Sequence, residues 1–147
     1  MYPIGHFALG YLSSEISSKI SKEKVNYPII FIVSIIPDID LFIPFVEHRG
    51  PTHSIVVAIL IFLPFIIKYK RGFSYFASLA SHSLIGDFFT AYGCRLFWPI
   101  VPFWYKTPKP YRLSGRPLML VEVSLFVLMI ISILWKKIRT RTRSVLV

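Results

Sequence analysis

The chain has 147 residues, of which 54% are hydrophobic and 16% are charged, and its formal net charge is +10. This length accommodates one domain, and the composition is typical of membrane proteins rather than of soluble globular domains. The basic residues stand in short runs between apolar segments, and we find no basic helix or RNA-binding motif, so we expect no nucleic-acid partner. The single Cys94 excludes an internal disulfide.

Residues 3–20 are predicted to form the first helix. Its apolar side chains recur at helical spacing; they are Ile4, Ala8, Tyr11, Leu12, Ile16 and Ile20. A second stripe is small and polar, and consists of His6, Gly10, Ser13, Ser14 and Ser17. A histidine near a chain end is often only solvated, but this stripe suits packing against other helices. His6 is therefore a candidate for a buried site.

The apolar run from Tyr27 to Val46 is predicted to enter the membrane and to be interrupted at Pro37-Asp38-Ile39-Asp40. A helix of about 20 residues would span a hydrocarbon core of about 30 Å. Two carboxylates more than halfway along such a run are costly unless they face a site, a partner or water. Pro37 also breaks the helical hydrogen bonding, which is tolerated at that depth only inside protein. Asp38 and Asp40 are therefore predicted to face a site, with a helix cap as the alternative.

The next segment, His48-Arg49-Gly50-Pro51-Thr52-His53-Ser54, holds two of the 4 histidines. Adjacent glycine and proline predict a turn, after which Thr52 or Ser54 can cap the following helix. His53 would then lie in the first helical turn, where the helix dipole disfavours imidazolium and leaves a neutral imidazole for a metal. Arg49 could bind a phosphate or carboxylate through two parallel hydrogen bonds. The alternative is a plain polar loop between membrane helices.

Two further membrane helices are predicted, from Ser54 to Ile67 and from Phe73 to Gly93, with basic residues between them. The second helix is rich in small residues that allow close helix approach; they are Ala77, Ser78, Ala80, Ser81, Ser83 and Gly86. His82 and Asp87 lie inside this helix, among these small residues.

Residues 94–116 are predicted to form an interfacial loop, because aromatic residues such as Trp98 and Trp104 are enriched at membrane interfaces. Residues 117–135 are predicted to form the last membrane helix, and residues 136–147 a basic tail. The one charge of that helix, Glu122, lies within about 6 Å of its start, so we expect it to reach the membrane surface.

The chain is thus predicted to be an all-α integral membrane protein with about four to five membrane-embedded helices in a single domain, residues 1–147. Residues 1–100 would form the core that carries the polar site. Eleven of the 17 lysines and arginines fall in segments 19–24, 68–71 and 136–143, which the positive-inside rule places in the cytoplasm. The histidines and aspartates then converge on the opposite half of the membrane. This predicts a multi-pass plasma-membrane protein with a site in its non-cytoplasmic half.

The convergent side chains are those that bind zinc, manganese or non-haem iron, and a shared carboxylate could hold more than one ion. The motifs that bear them are Gly5-His6, Pro37-Asp38-Ile39-Asp40, His48-Arg49-Gly50-Pro51-Thr52-His53-Ser54, Ser81-His82, Asp87-Phe88-Phe89-Thr90 and Phe97-Trp98-Pro99. In this order over residues 1–100, the set resembles the YdjM-like family of membrane-bound metal-dependent hydrolases, which is distantly similar to zinc-dependent phospholipase C.

The resemblance implies a divalent metal, with zinc expected and manganese or iron as alternatives. The ligands it implies are His6, Asp38, Asp40, His48, His53, His82 and Asp87. Relatives usually space the last two as His-x-x-x-Asp, whereas here they are five residues apart, which leaves them about 140° apart on a regular α-helix. We therefore predict that the helix widens or breaks between His82 and Asp87, since a turn of five residues would align them; the alternative is that only one of the pair binds metal.

Three hypotheses for function follow. The first is a hydrolase of a lipid, a lipid-linked phosphoester or another anionic substrate, in which Asp38 and Asp40 hold metal or orient water and Arg49 stabilises an anionic transition state. The second is a metal-binding or ion-conducting membrane protein without catalysis. The third is that the polar residues only join helices. Arg49 favours the first, because a cation pathway gains nothing from a fixed positive charge.

Overall fold

The computed structural model describes residues 1–69, 72–90 and 92–145. Its α-helices are α1 Pro3–Ser21, α2 Tyr27–Ile35, α3 Ile55–Tyr69, α4 Phe73–Ser81 and α5 Gly115–Val145. Short 3-10 segments cover Ile36–Phe42, Pro51–His53 and Lys109–Tyr111, and a π-helix covers His82–Asp87. These described ranges contain no β-strand, so the predicted all-α class is confirmed. Lys70 and Arg71 of the predicted basic loop, Ala91 of the predicted Phe73–Gly93 helix and positions 146–147 of the tail lie outside the described residues.

α1 is the central helix of the bundle, because it packs against α2, α4 and α5, while α4 also packs against α2 and α3. A Cβ atom on Gly10 would lie 2.5 Å from Ser34 Cβ and 2.7 Å from Ser78 Oγ. Only glycine therefore lets α1 approach both neighbours this closely. The small residues predicted to permit close helix packing do so here.

The packed face of α1 includes most of its small and polar stripe and the middle of its apolar stripe, where Ala8 and Tyr11 are buried against Met129 of α5. His6, Ser14 and Ser17 are buried, whereas Ile16 and Ile20 are 63% and 72% exposed. Exposed apolar side chains such as Ile16 and Ile20 are expected of helices that are surrounded by lipid, since lipid tails are as apolar as these side chains.

One of the described helices is long and apolar enough to cross a membrane, namely Gly115–Thr142 within α5. Only 11% of its apolar stretch is buried, so it does not resemble the core helix of a soluble protein. The apolar helix Ile55–Lys68 is shorter, and α2 has 9 residues. The expectation of about four to five membrane-embedded helices is therefore not confirmed.

The predicted interruption of the Tyr27–Val46 run is confirmed. The Asn26 side chain caps α2 by accepting a hydrogen bond from Ile29 N at 3.4 Å, and α2 ends at Ile35. The chain then tightens into the 3-10 segment Ile36–Phe42, which places Pro37 in its first turn, where a missing backbone donor costs least. The segment carries Asp38 and Asp40 towards the bundle interior.

α5 is fixed to α1 near both of its ends. Glu122 is 3% exposed, and its Oε1 accepts a hydrogen bond from Tyr2 N at 2.9 Å. The expectation that Glu122 reaches the membrane surface is therefore wrong, because this carboxylate satisfies an unpaired donor at the start of α1. At the other end, Lys136 Nζ pairs with the buried Glu15 carboxylate and donates to the Tyr27 hydroxyl at 2.8 Å. The helix also continues through much of the predicted basic tail, to Val145.

The loop 94–116 folds back over the central turn. Arg95 N donates to Arg49 O and Ile55 N donates to Leu96 O, both at 2.9 Å. Ser54 Oγ donates to Trp98 O at 2.5 Å and accepts from Val56 N at 3.1 Å. Ser54, of the two candidates, is therefore the residue that caps α3. His53 precedes the cap, in the 3-10 turn Pro51–His53 rather than in the first turn of α3 as predicted.

Candidate metal centre

The structure brings all seven predicted ligands together at one end of the bundle. They come from four places: α1, the 3-10 segment after α2, the central turn and the π-helix. The convergence proposed from sequence is therefore present in the fold. The seven residues are His6, Asp38, Asp40, His48, His53, His82 and Asp87.

Four of them present one atom each to a common point. His53 Nε2 lies 3.2 Å from His82 Nε2 and 3.0 Å from Asp87 Oδ2, and His82 Nε2 lies 3.2 Å from Asp87 Oδ2. Asp38 Oδ1 lies 3.4 Å from His53 Nε2 and 3.5 Å from His82 Nε2. Ligand atoms about 2.0–2.2 Å from a tetrahedral ion stand roughly 3.3–3.6 Å apart. The four atoms could therefore hold one divalent ion.

The π-helix is what allows His82 and Asp87 to share this point. Phe88 N donates to Ser83 O at 3.1 Å, a bond across five residues. The predicted widening between His82 and Asp87 is therefore confirmed, since such a turn aligns residues that a regular α-helix would separate.

Hydrogen bonds on the far sides of the imidazoles hold their rings in place. His82 Nδ1 donates to Ser34 O at 2.6 Å, because a carbonyl oxygen can only accept. His53 Nδ1 lies 3.3 Å from Asp40 Oδ2 and 3.0 Å from Thr52 Oγ1. In neutral rings with Nδ1 protonated, both Nε2 atoms present lone pairs to the common point. Such outer contacts are usual for histidines that bind metal.

Asp40 is buried and is held by four neighbours. Its Oδ1 lies 2.7 Å from His48 Nδ1, and its Oδ2 accepts from Arg49 N at 2.9 Å and from Thr52 Oγ1 at 2.6 Å. With His53 as the fourth neighbour, this geometry supports an orienting role for Asp40. Asp40 could also be a metal ligand, because Asp38, Asp40 and His48 form a second group whose ligand atoms lie within 4.8 Å of one another.

His6 lies beside the four-atom cluster with no hydrogen-bond partner among the described residues. Its side chain is 1% exposed and neither ring nitrogen is paired. His6 Nε2 lies 3.9 Å from Asp38 Oδ2 and 3.9 Å from Asp87 Oδ1, which are the carboxylate oxygens that face away from the first group. An unpaired buried imidazole is costly, so this position fits a further ligand.

Arg49 faces the cluster from the central turn. Its Nη2 lies 3.1 Å from Asp87 Oδ1, its Nη1 donates to Thr90 Oγ1 at 2.8 Å, and its guanidinium stands over the Tyr92 ring. The α-amino group of Met1 also lies 3.3 Å from Asp87 Oδ1. With neutral imidazoles, the three carboxylates still outnumber these two cations, so the cluster has a net negative charge that a divalent ion would offset.

Several partners in the centre were not anticipated from the sequence. The Ser34 carbonyl that orients His82 is a backbone atom, and residue type does not reveal it. Tyr92 and Trp104 line a cavity of about 440 Å³ together with His48 and Arg49. For Trp104, the available signal in the sequence is its place in the aromatic interfacial loop, residues 94–116.

A model of the family described as YdjM inner membrane protein matches residues 1–146. The match extends the resemblance noted in residues 1–100 to nearly the whole chain. No curated protein matches the chain, and no solved structure does either.

Proposed function

Because the chain belongs to the YdjM inner membrane protein family and four of its side chains are spaced as metal ligands, we propose that it is a membrane-bound metal-dependent hydrolase. Its substrate would be a phosphoester or another anionic compound at the membrane surface. The observation that carries the proposal is that His53 Nε2, His82 Nε2 and Asp87 Oδ2 lie 3.0–3.2 Å apart, with Asp38 Oδ1 3.4–3.5 Å from both imidazole nitrogens.

Zinc is the metal we propose for this group, since two imidazoles and two carboxylates are a donor set that suits it. Manganese and iron also accept this donor set. His6 would add a further donor beside this group, together with the second oxygen of Asp38, because both His6 nitrogens are buried and have no hydrogen-bond partner in the described part of the chain. Asp40 and His48 would ligate or orient at the edge of the centre.

A bound divalent ion lowers the pKa of its water towards about 7, and so supplies hydroxide at neutral pH. The chain's own residues would do the rest. Arg49 would bind an anionic substrate and stabilise the charge that develops on it, because its guanidinium faces the cluster from a fixed backbone. Asp40 would keep His53 and His48 oriented through its hydrogen bonds.

Orientation in the membrane belongs to the same proposal. We place the centre in the non-cytoplasmic half of a multi-pass plasma-membrane protein. The support is the distribution of basic residues, which favours the opposite side for segments 19–24 and 136–143.

The alternative function is metal binding or ion conduction without catalysis, which buried aspartates and histidines also serve. The position of Arg49 argues against it, since a cation pathway gains nothing from a guanidinium 3.1 Å from Asp87, whereas an anionic substrate does. The reading that these residues only join helices is opposed by His6, whose buried nitrogens join nothing among the described residues.

Metal analysis of purified protein tests the proposal. Wild-type protein should retain a divalent metal, His53→Ala should lose most of it, and Leu63→Ala on the exposed face of α3 should retain it. Chelation should abolish hydrolysis of a panel of phosphoesters, and added zinc or manganese should restore it. Metal flux into liposomes that survives Arg49→Ala, without hydrolysis of any ester, would favour the alternative.

A further inference from the structure

An aliphatic groove of about 560 Å³ leads from the exterior of the bundle to the metal centre. Its inner end is formed by Asp38, His48 and Arg49. This volume lies within the range of small-molecule sites, roughly 300–1,000 Å³. The walls consist largely of apolar side chains from α2 and the 3-10 segment after it, namely Ile32, Ile35, Ile36, Ile39, Leu41 and Phe42.

The groove is the open side of the centre. The Asp38 side chain is 24% exposed, whereas the His53, His82 and Asp87 side chains are 0% exposed. Asp38 also lines the groove. A substrate that reaches these four ligands therefore passes between aliphatic walls, where the desolvation of a purely polar molecule would be costly.

Arg49 and His48 line this groove and also the cavity of about 440 Å³ on the other side, where Tyr92 and Trp104 complete the lining. A fixed cation thus stands between the groove and a smaller cavity with aromatic walls. That arrangement is complementary to an amphiphile whose anionic group lies against the cation while its apolar chain occupies the groove.

We propose that the groove binds the aliphatic chain of an amphiphilic phosphoester, whose phosphate lies against Arg49 at the inner end. The proposal rests on the proposed hydrolase function and names its substrate class. The walls are accessible from outside, since Ile32, Ile39 and Leu41 are 58%, 50% and 61% exposed. A chain could therefore enter sideways from the bilayer without its phosphate leaving the membrane surface.

Two esters with one leaving group test the proposal: methyl and dodecyl 4-nitrophenyl phosphate, assayed with zinc-loaded protein in micelles. The readout is the ratio of kcat/KM for the dodecyl ester to kcat/KM for the methyl ester. Ile32→Trp and Leu41→Trp should each lower this ratio by about tenfold, the factor expected when a few methylene groups lose their apolar contacts. Ile131→Trp, on the exposed face of α5, should leave the ratio unchanged, and it controls for partitioning into micelles.

A second measurement does not require hydrolysis. A dodecyl phosphonate with a photoreactive group at the chain end should crosslink within residues 27–42, and Ile32→Trp should reduce that labelling. Hydrolysis of both esters with a ratio that neither groove variant alters would overturn the groove and leave the hydrolase standing. Labelling in residues 27–42 without hydrolysis of either ester would contradict the hydrolase proposal and support binding of the chain in the groove. Labelling confined to α5 would overturn the groove in either case.

Discussion

The ring of His6 lies parallel to the ring of His82, with their centroids 3.6 Å apart. Gly86 makes room for this stack, because a Cβ atom there would lie 2.7 Å from His6 Cε1. The position of His6 in the metal centre thus depends on Gly86, which is not itself a ligand. Substituting Gly86 therefore changes the geometry of the centre while all of its ligands are kept.

Gly86→Ala should therefore displace His6 while every proposed ligand is kept. We expect hydrolysis to fall by about 10–100-fold, the usual cost of disturbing the support of a metal centre. The matched control is Leu84→Ala, in the same π-helix with a side chain 40% exposed. Metal content and turnover should be measured together, and equal turnover in the two variants would exclude His6 from the centre.

Asp40→Asn preserves shape but replaces an acceptor oxygen with a donor. Asp40 Oδ2 accepts hydrogen bonds from Arg49 N and Thr52 Oγ1, and Oδ1 faces His48 Nδ1, so an amide nitrogen would meet one of these groups in place of an acceptor oxygen. Metal and activity should be lost together, with metal affinity falling by about 10–100-fold. Titration with a zinc indicator measures this affinity. Glu47→Gln, an exposed carboxylate nearby, is the control that should retain both.

Arg49→Lys should lower turnover without lowering metal content. A lysine keeps one positive charge near Asp87, but it cannot also reproduce the second contact, to Thr90. Turnover should fall by about 100–1,000-fold while metal content stays near the wild-type value. Arg95→Lys is the matched control, since Arg95 pairs with Glu47 outside the centre. Loss of metal from Arg49→Lys would instead assign this arginine to the support of Asp87.

The orientation of the chain can be measured by cysteine labelling in a Cys94→Ser background. In the unsubstituted chain Cys94 is fully buried, and burial raises the pKa of its thiol to about 12, so the chain that retains Cys94 should show little labelling and serves as the blank. Cysteines at Lys24 and Thr140 should label from the cytoplasmic side, and a cysteine at the exposed Glu47 from the other. Glu47 serves better than Gly50, whose added Cβ would lie 2.8 Å from Glu47 O. If the Glu47 and Thr140 positions label from one side, the proposed location of the centre is wrong.

Much of the centre could be predicted from the sequence because its signals are local. Carboxylates within an apolar run require a partner, and the five-residue spacing of His82 and Asp87 required the widened helix that the structure contains. The span count could not be predicted in the same way. Hydropathy marks Tyr27–Val46 as apolar, but α2 ends at Ile35 and a 3-10 segment follows, so this run does not form one crossing helix.

The role of Glu122 was missed for a different physical reason. Distance along α5 suggested that its carboxylate could reach the surface. The donor that holds it belongs to Tyr2, 120 residues away in the chain. Contacts of this range depend on how helices pack, and periodicity within one helix carries no information about them.

The π-helix also determines where this chain can change in length. Deleting Ile85, whose side chain is 49% exposed, would leave His82 and Asp87 four residues apart, and an ordinary α-helix carries such residues on one face. The wide turn and the regular turn are therefore interchangeable ways of aligning this pair. Deleting one residue within α4 would instead rotate His82 by about 100° relative to the preceding helix, away from Ser34 and from the other ligands. Loss of one residue is thus compatible with the metal centre between His82 and Asp87, and incompatible with it one helical turn earlier.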